Sequence, residues 1–141
     1  MLPKILAGKP AQVLGDINQE HTCTYPLDVA RLMQIVATDS KAWGKAWHVP
    51  SNEAKTQKEL VTELALRAGV KNPKLSSVPN VMWNLLGLFN PLLKALKETA
   101  YQFQRRYILD DSAARKTFGM QPTDWKQILK EVVAETRASD L

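Results

Sequence analysis

The sequence has one cysteine, Cys23, and two histidines, His21 and His48, among 141 residues. A single thiol excludes an intrachain disulfide and any cysteine-built metal cluster, and it fits a reducing compartment. The two histidines are far apart in the chain and lack ligand-type spacing, which argues against a zinc site. The six glycines never approach a G-x-x-G-x-x-G or G-x-x-x-x-G-K-S/T arrangement, so no glycine-rich phosphate loop is present. No serine sits in a nucleophile elbow. No Tyr-x-x-x-Lys pair exists, because Val29, Arg105 and Asp111 stand four residues after the three tyrosines. A long hydrophobic run is also missing. The longest apolar stretch, "VMWNLLGLFNPLL", is interrupted by Asn84, Gly87, Asn90 and Pro91, short of the roughly 20 apolar residues a spanning helix needs. The opening "MLPKILAGKPAQ" has no signal-peptide core. These absences lead us to expect a soluble cytoplasmic protein with no membrane association.

What is present is an ordinary globular composition. Hydrophobic residues make up 45%, net charge is +5 and the pI is about 9.4, and the length suits one domain, residues 1–141, with 138–141 as a frayed tail. The basic residues are scattered, and the nearest approach to a cluster is Arg105-Arg106. A nucleic-acid domain concentrates such charge on one face, so nucleic acid is not the expected partner. A basic nucleic-acid or protein-binding adaptor remains the most distant alternative.

Local signals predict alternating short strands and helices. "GKPAQVLGD" reads as a turn, a brief extended piece and another turn. "HTCTY", residues 21–25, has strand character. Pro26 suits a first helical turn, and Asp28 places a carboxylate at the helix N-terminus. Leu32, Met33, Ile35 and Val36 form that helix's apolar face, which ends near Thr38. "KAWHVP" (45–50) reads as a strand. Thr56 and Glu59 form a capping box for a helix bearing Leu60, Val61, Leu64, Ala65 and Ala68, closed by Gly69. "KLSSVP" (74–79) alternates as another strand. An apolar helix is expected over 80–89 and a second after Asn90-Pro91. "RRYILDD" (105–111) reads as extended. Ser112 caps a helix ending at Phe118-Gly119, and Thr123 caps the last one, with Trp125, Ile128, Leu129, Val132 and Val133 on one side. The expected class is α+β, or fragmentary α/β: mostly helical, with a few short strands. If "HTCTY" is a strand, His21 and Cys23 share one face. Such a pair is either nucleophilic or, more commonly, a strand with a small buried cysteine.

The order of these pieces resembles the second half of the NAD-dependent epimerase/dehydratases, in the extended or atypical branch of the short-chain dehydrogenase/reductase superfamily. The likeness rests on "HTCTYPLDVARLMQIVATDSKAWGKAWHVPSNEAKTQKELV". Here a His/Thr/Tyr strand runs into Asp28-Val-Ala-Arg, then Gly44-x-x-Trp-His-Val-Pro, then Thr56-x-x-Glu-Leu-Val and Ala-Gly-Val. Downstream it rests on "YQFQRRYILDDSAARKTFGMQPTDWKQIL". It covers about residues 3–134 as an ordered set, with no single diagnostic motif.

The resemblance implies a substrate-binding half without its Rossmann domain. In the full-length family NAD(P) is held by a glycine-rich loop, and the chemistry is done by a Ser/Tyr/Lys set that this sequence lacks. No catalytic, cofactor-binding or metal-binding residue is therefore nominated, and the chain alone is not expected to be an oxidoreductase or to bind a cofactor. By the same resemblance, His21, Thr22, Tyr25, Arg105 and Arg106 are candidates for a pocket taking a small carbonyl or sugar-type ligand. Arginine's planar fork suits a phosphate or sugar. Each residue also has a plain reading, as a satisfied strand edge or a solvated surface pair. Asp28 is expected to cap and orient its helix. Trp83, Leu86, Phe89 and Leu93 are candidates for a homo-oligomer interface, because a full-length relative would cover this apolar segment. The other reading is a component of an active enzyme whose Rossmann half is supplied elsewhere.

Overall fold

The computed structural model describes residues 2–13, 15–77 and 100–139. The interface candidates Trp83, Leu86, Phe89 and Leu93 lie outside the described residues, as do the helix expected over 80–89 and most of the one expected after Asn90-Pro91, whose expected end near Phe103 is a 3-10 turn. The described chain is mixed α+β, with helix outweighing strand. It runs α1 (Leu2–Leu6), β1 (Ala11–Val13), β2 (Glu20–His21), α2 (Pro26–Thr38), a 3-10 turn (Ser40–Ala42), β3 (Lys55–Thr56), α3 (Gln57–Arg67), β4 (Leu75–Ser77), a second 3-10 turn (Ala100–Phe103), α4 (Ser112–Phe118) and α5 (Trp125–Ser139).

α3 is the element whose sequence specifies it most completely. The Thr56 hydroxyl accepts from the Glu59 amide at 3.1 Å, and the Glu59 carboxylate accepts from the Thr56 amide at 2.8 Å. This reciprocal box satisfies two of the amides left open at a helix start. At the other end Gly69 takes φ +85°. Its amide donates to Leu66 and the Val70 amide donates to Ala65, the paired bonds of a Schellman closure. Between the caps, Val61, Leu64 and Ala65 are buried. They join Leu2 and Ile5 of α1, Ala11 and Val13 of β1, and Leu129 and Val133 of α5 in the core. Burial of side chains this size stabilises by about 1.5–3 kcal/mol each for the larger ones.

Two small sheets flank that core. β1 pairs in parallel with β4, Ala11 beside Leu75. β2 pairs antiparallel with β3, Glu20 opposite Thr56 and His21 opposite Lys55, and Tyr107 bridges to the other side of His21.

Several local expectations are corrected. Residues 45–50 do not form a strand. The Trp47 indole N–H donates to the Ala42 carbonyl at 2.9 Å, and its ring stands edge-on to Phe118 with centroids 4.7 Å apart. Side-chain anchors, not a backbone ladder, set that loop. Of "HTCTY" only His21 lies in a strand. On α2, Leu32 is buried and Ile35 and Val36 are half-buried, while Met33 is 64% exposed. The core-facing stripe therefore runs through Asp28 and Leu32. Ser112 and Thr123 are not the helix caps. Asp110 accepts from the Ser112 amide, and Asp124 accepts from the amides of Lys126 and Gln127. Thr123 is committed to Asp28 instead.

Among the described residues, no helix is long and apolar enough to cross a membrane.

Candidate functional site

The segment 101–109 is sewn onto the segment 16–22 by backbone bonds. The Asp16 amide donates to the Phe103 carbonyl at 2.9 Å. Thr22 donates to Tyr107 at 2.9 Å, and Tyr107 donates back to Glu20 at 2.9 Å. The Leu109 amide adds a bond to the Thr22 hydroxyl at 3.1 Å. Gly15 makes this approach possible. It holds φ +73°, and a Cβ there would sit 2.2 Å from the Phe103 carbonyl oxygen. Only glycine tolerates both the backbone angle and the contact.

Between this double layer and α3 lies a cavity of about 840 Å³, within the range of small-molecule sites. Its apolar wall comes from Val13 of β1, Leu60 and Val61 of α3, and Phe103. Tyr101 and Tyr107 add aromatic rings. Gln57, Gln102, Cys23, His21, Arg105 and Arg106 supply the polar part. Among the described residues the lining contains no carboxylate.

His21 is oriented firmly. Its Nε2 lies 2.8 Å from the Gln102 carbonyl and 3.0 Å from the Arg105 carbonyl. Both partners can only accept, so Nε2 bears the hydrogen, and in the neutral ring Nδ1 is left as an acceptor. Arg106 donates from Nε to Glu20 at 2.8 Å, and both side chains are well exposed. Its terminal nitrogens make no hydrogen bond among the described residues, and Arg105 makes no ion pair there. The Cys23 sulfur is 3.9 Å from the His21 carbonyl, and burial pushes its thiol up. That disfavours the thiolate needed for nucleophilic work.

The structure thus brings His21, Arg105 and Arg106 to one cavity, although His21 is remote in sequence from the arginines. Thr22 and Tyr25 are not among the lining residues. Thr22 is spent on the seam. The Tyr25 hydroxyl donates to Glu131 of α5, and this bond, with lesser contributions from burial and nearby carboxylates, pushes its phenol up to about 12. The apolar wall carried no signal of a site: Leu60 and Val61 read as core-facing, which they are, and Val13 and Val61 belong to the buried core while also bordering the cavity. One compositional signal was available: the aromatic and basic run "YQFQRRY", of which Tyr101, Gln102, Phe103, Arg105, Arg106 and Tyr107 line the cavity.

A second constellation holds α2, the 47–52 loop, α4 and α5 together. Asp28 is fully buried. It accepts from the Thr123 amide at 2.8 Å, the Thr123 hydroxyl at 2.7 Å and Arg31 at 2.8 Å. The expected cap is therefore a clasp between α2 and the start of α5. Asp111 accepts two bonds from Arg115, at 2.7 and 3.0 Å, and one from the Ser51 amide at 2.6 Å. Partial burial raises its carboxyl, but these bonds and the Arg115 charge outweigh burial and hold it below the usual range. Arg115 also donates to the Ser51 carbonyl and to Gln121. Every strong donor here meets an acceptor, so the cluster is structural in chemistry. Among the described residues no group of three or more His, Cys, Asp or Glu side chains is placed to hold a metal ion.

No family model, curated protein or solved structure matches the chain.

Proposed function

We propose that the chain is a non-catalytic ligand-binding domain. It takes a small molecule in the cavity between α3 and the 101–107 segment, and it is related to the substrate-binding half of the NAD-dependent epimerase/dehydratases. The observation that carries this reading is the meeting of His21, Arg105 and Arg106 on one partly apolar wall. Polar groups with spare valence on an apolar cavity are what a ligand site requires. In the polar clasp each carboxylate already takes three bonds from the protein. The family resemblance supports a small carbonyl or sugar-type ligand, and the apolar pattern around Trp83, Leu86, Phe89 and Leu93 supports self-association.

The test is saturation-transfer NMR with a set of small carbonyl and sugar ligands, repeated on Leu60→Trp, which fills the cavity from α3. Binding that disappears in the variant supports the reading. Binding that survives it overturns the cavity as the site, and no binding by any member overturns the carbonyl or sugar-type ligand. Light scattering that shows a strict monomer at high concentration would remove the self-association.

A further inference from the structure

The composition of the cavity wall narrows its ligand. Two arginines line it, and among the described residues no aspartate or glutamate does. Glu20 reaches only the Nε side of Arg106, leaving that guanidinium's terminal nitrogens without a partner among the described residues. Arg105 has no ion pair there at all. The Cys23 thiol, raised by burial, adds no negative charge. The cavity wall therefore has one guanidinium, Arg105, with no ion pair among the described residues, and a second, Arg106, whose charge Glu20 offsets but whose terminal nitrogens stay open. The rest of the wall is apolar or aromatic: Val13, Leu60, Val61, Phe103, Tyr101 and Tyr107. A purely polar anion would leave that surface wet, and a purely apolar molecule would leave the cations unused.

From this wall, and resting on the ligand-binding reading above, we infer that the cavity takes a carboxylate carried on an apolar body. The guanidinium fork matches a carboxylate in two parallel N–H···O bonds. The body lies against α3 and the aromatic side chains. With Nε2 held as a donor by two carbonyls, the His21 ring offers the ligand its Nδ1, which in the neutral form accepts from a hydroxyl or N–H on the body.

Calorimetric titration with octanoate, 1-octanol, octylammonium and acetate separates head from body. Octanoate is expected to bind at least tenfold more tightly than 1-octanol. Octylammonium is expected to be the weakest of the three octyl compounds, and acetate should not saturate. Raising the salt should weaken octanoate and leave 1-octanol unchanged. Arg105→Gln should bring octanoate close to 1-octanol, and Arg105→Lys should recover part of the difference. Arg106→Gln should cost octanoate more than Arg105→Gln, because it also uncovers Glu20. Unchanged 1-octanol binding shows that each variant keeps the cavity. Equal affinity for octanoate and 1-octanol, or full octanoate affinity in Arg105→Gln, overturns the carboxylate assignment while leaving a ligand cavity in place. Failure of all four probes, together with failure of the carbonyl and sugar set, removes both.

Discussion

The seam beside the cavity and the clasp behind α2 are made of similar side chains, yet they end in opposite states. Each has two arginines, and each joins segments far apart in the chain. In the clasp, Arg31 and Arg115 face Asp28 and Asp111, and each carboxylate takes three bonds. At the seam, the backbone does most of the joining through Asp16, Glu20, Thr22, Phe103 and Tyr107; Arg106 spends only its Nε, on Glu20, and Arg105 makes no ion pair among the described residues. A buried carboxylate must be fully bonded, because an orphan costs several kcal/mol. An exposed arginine on a backbone-built wall carries no such demand. Polar residues that complete one another hold a fold, and those left incomplete on an apolar wall are available to a ligand.

Breaking the clasp should have the largest effect. Asp28→Ala removes a fully buried carboxylate and leaves the half-buried Thr123 amide and hydroxyl without their partner, which should cost about 3 kcal/mol in urea denaturation. A loss under about 1 kcal/mol would show that the clasp is not a unit. Gly15→Ala tests the seam. The added methyl collides with the Phe103 backbone at a positive φ, so stability should fall by about 2 kcal/mol. Ligand binding should fall with it, since Phe103 lines the cavity. Arg105→Gln, by contrast, should change stability by less than about 0.5 kcal/mol. A larger loss would show that the wall arginine is structural after all.

Two smaller effects depend on pH. Asp111 is held below its ordinary value of 3.8. Its contribution is present above that unfolded-state value and is lost as pH falls through the lower folded-state value. The acid limb of stability against pH should therefore be shallower in Asp111→Asn. Tyr25 behaves in the opposite sense. Its phenol is raised from 10 to about 12, so its contribution is present below pH 10 and is lost as pH rises through about 12. Tyr25→Phe should remove that alkaline loss, as followed by circular dichroism.

The parts legible in the sequence are those fixed by neighbours in the chain. Thr56, Glu59 and Gly69 mark α3 because both caps are local exchanges of hydrogen bonds. Pro26 marks the start of α2 because its ring fixes the first turn. Residues 45–50 were misleading because the alternation there serves Trp47, whose partners are Ala42 and Phe118. Thr123 carries the signature of a cap, but it is drawn to Asp28, distant in the chain, and Asp124 takes its place. The cavity was partly legible. The family resemblance nominated His21, Arg105 and Arg106, which line it, and also Thr22 and Tyr25, which hold segments together. Val13, Leu60 and Val61 gave no sign of a site, since an apolar residue facing a cavity has the same periodicity as one facing the core.

The central contrast is tested most directly by intermolecular NOEs from a bound small ligand to the methyl groups of the protein. A ligand seated on the incomplete wall gives NOEs to Val13, Leu60 and Val61. NOEs confined to the exposed Leu27 and Met33 of α2 would place binding on the other side of the comparison and contradict the cavity as the site.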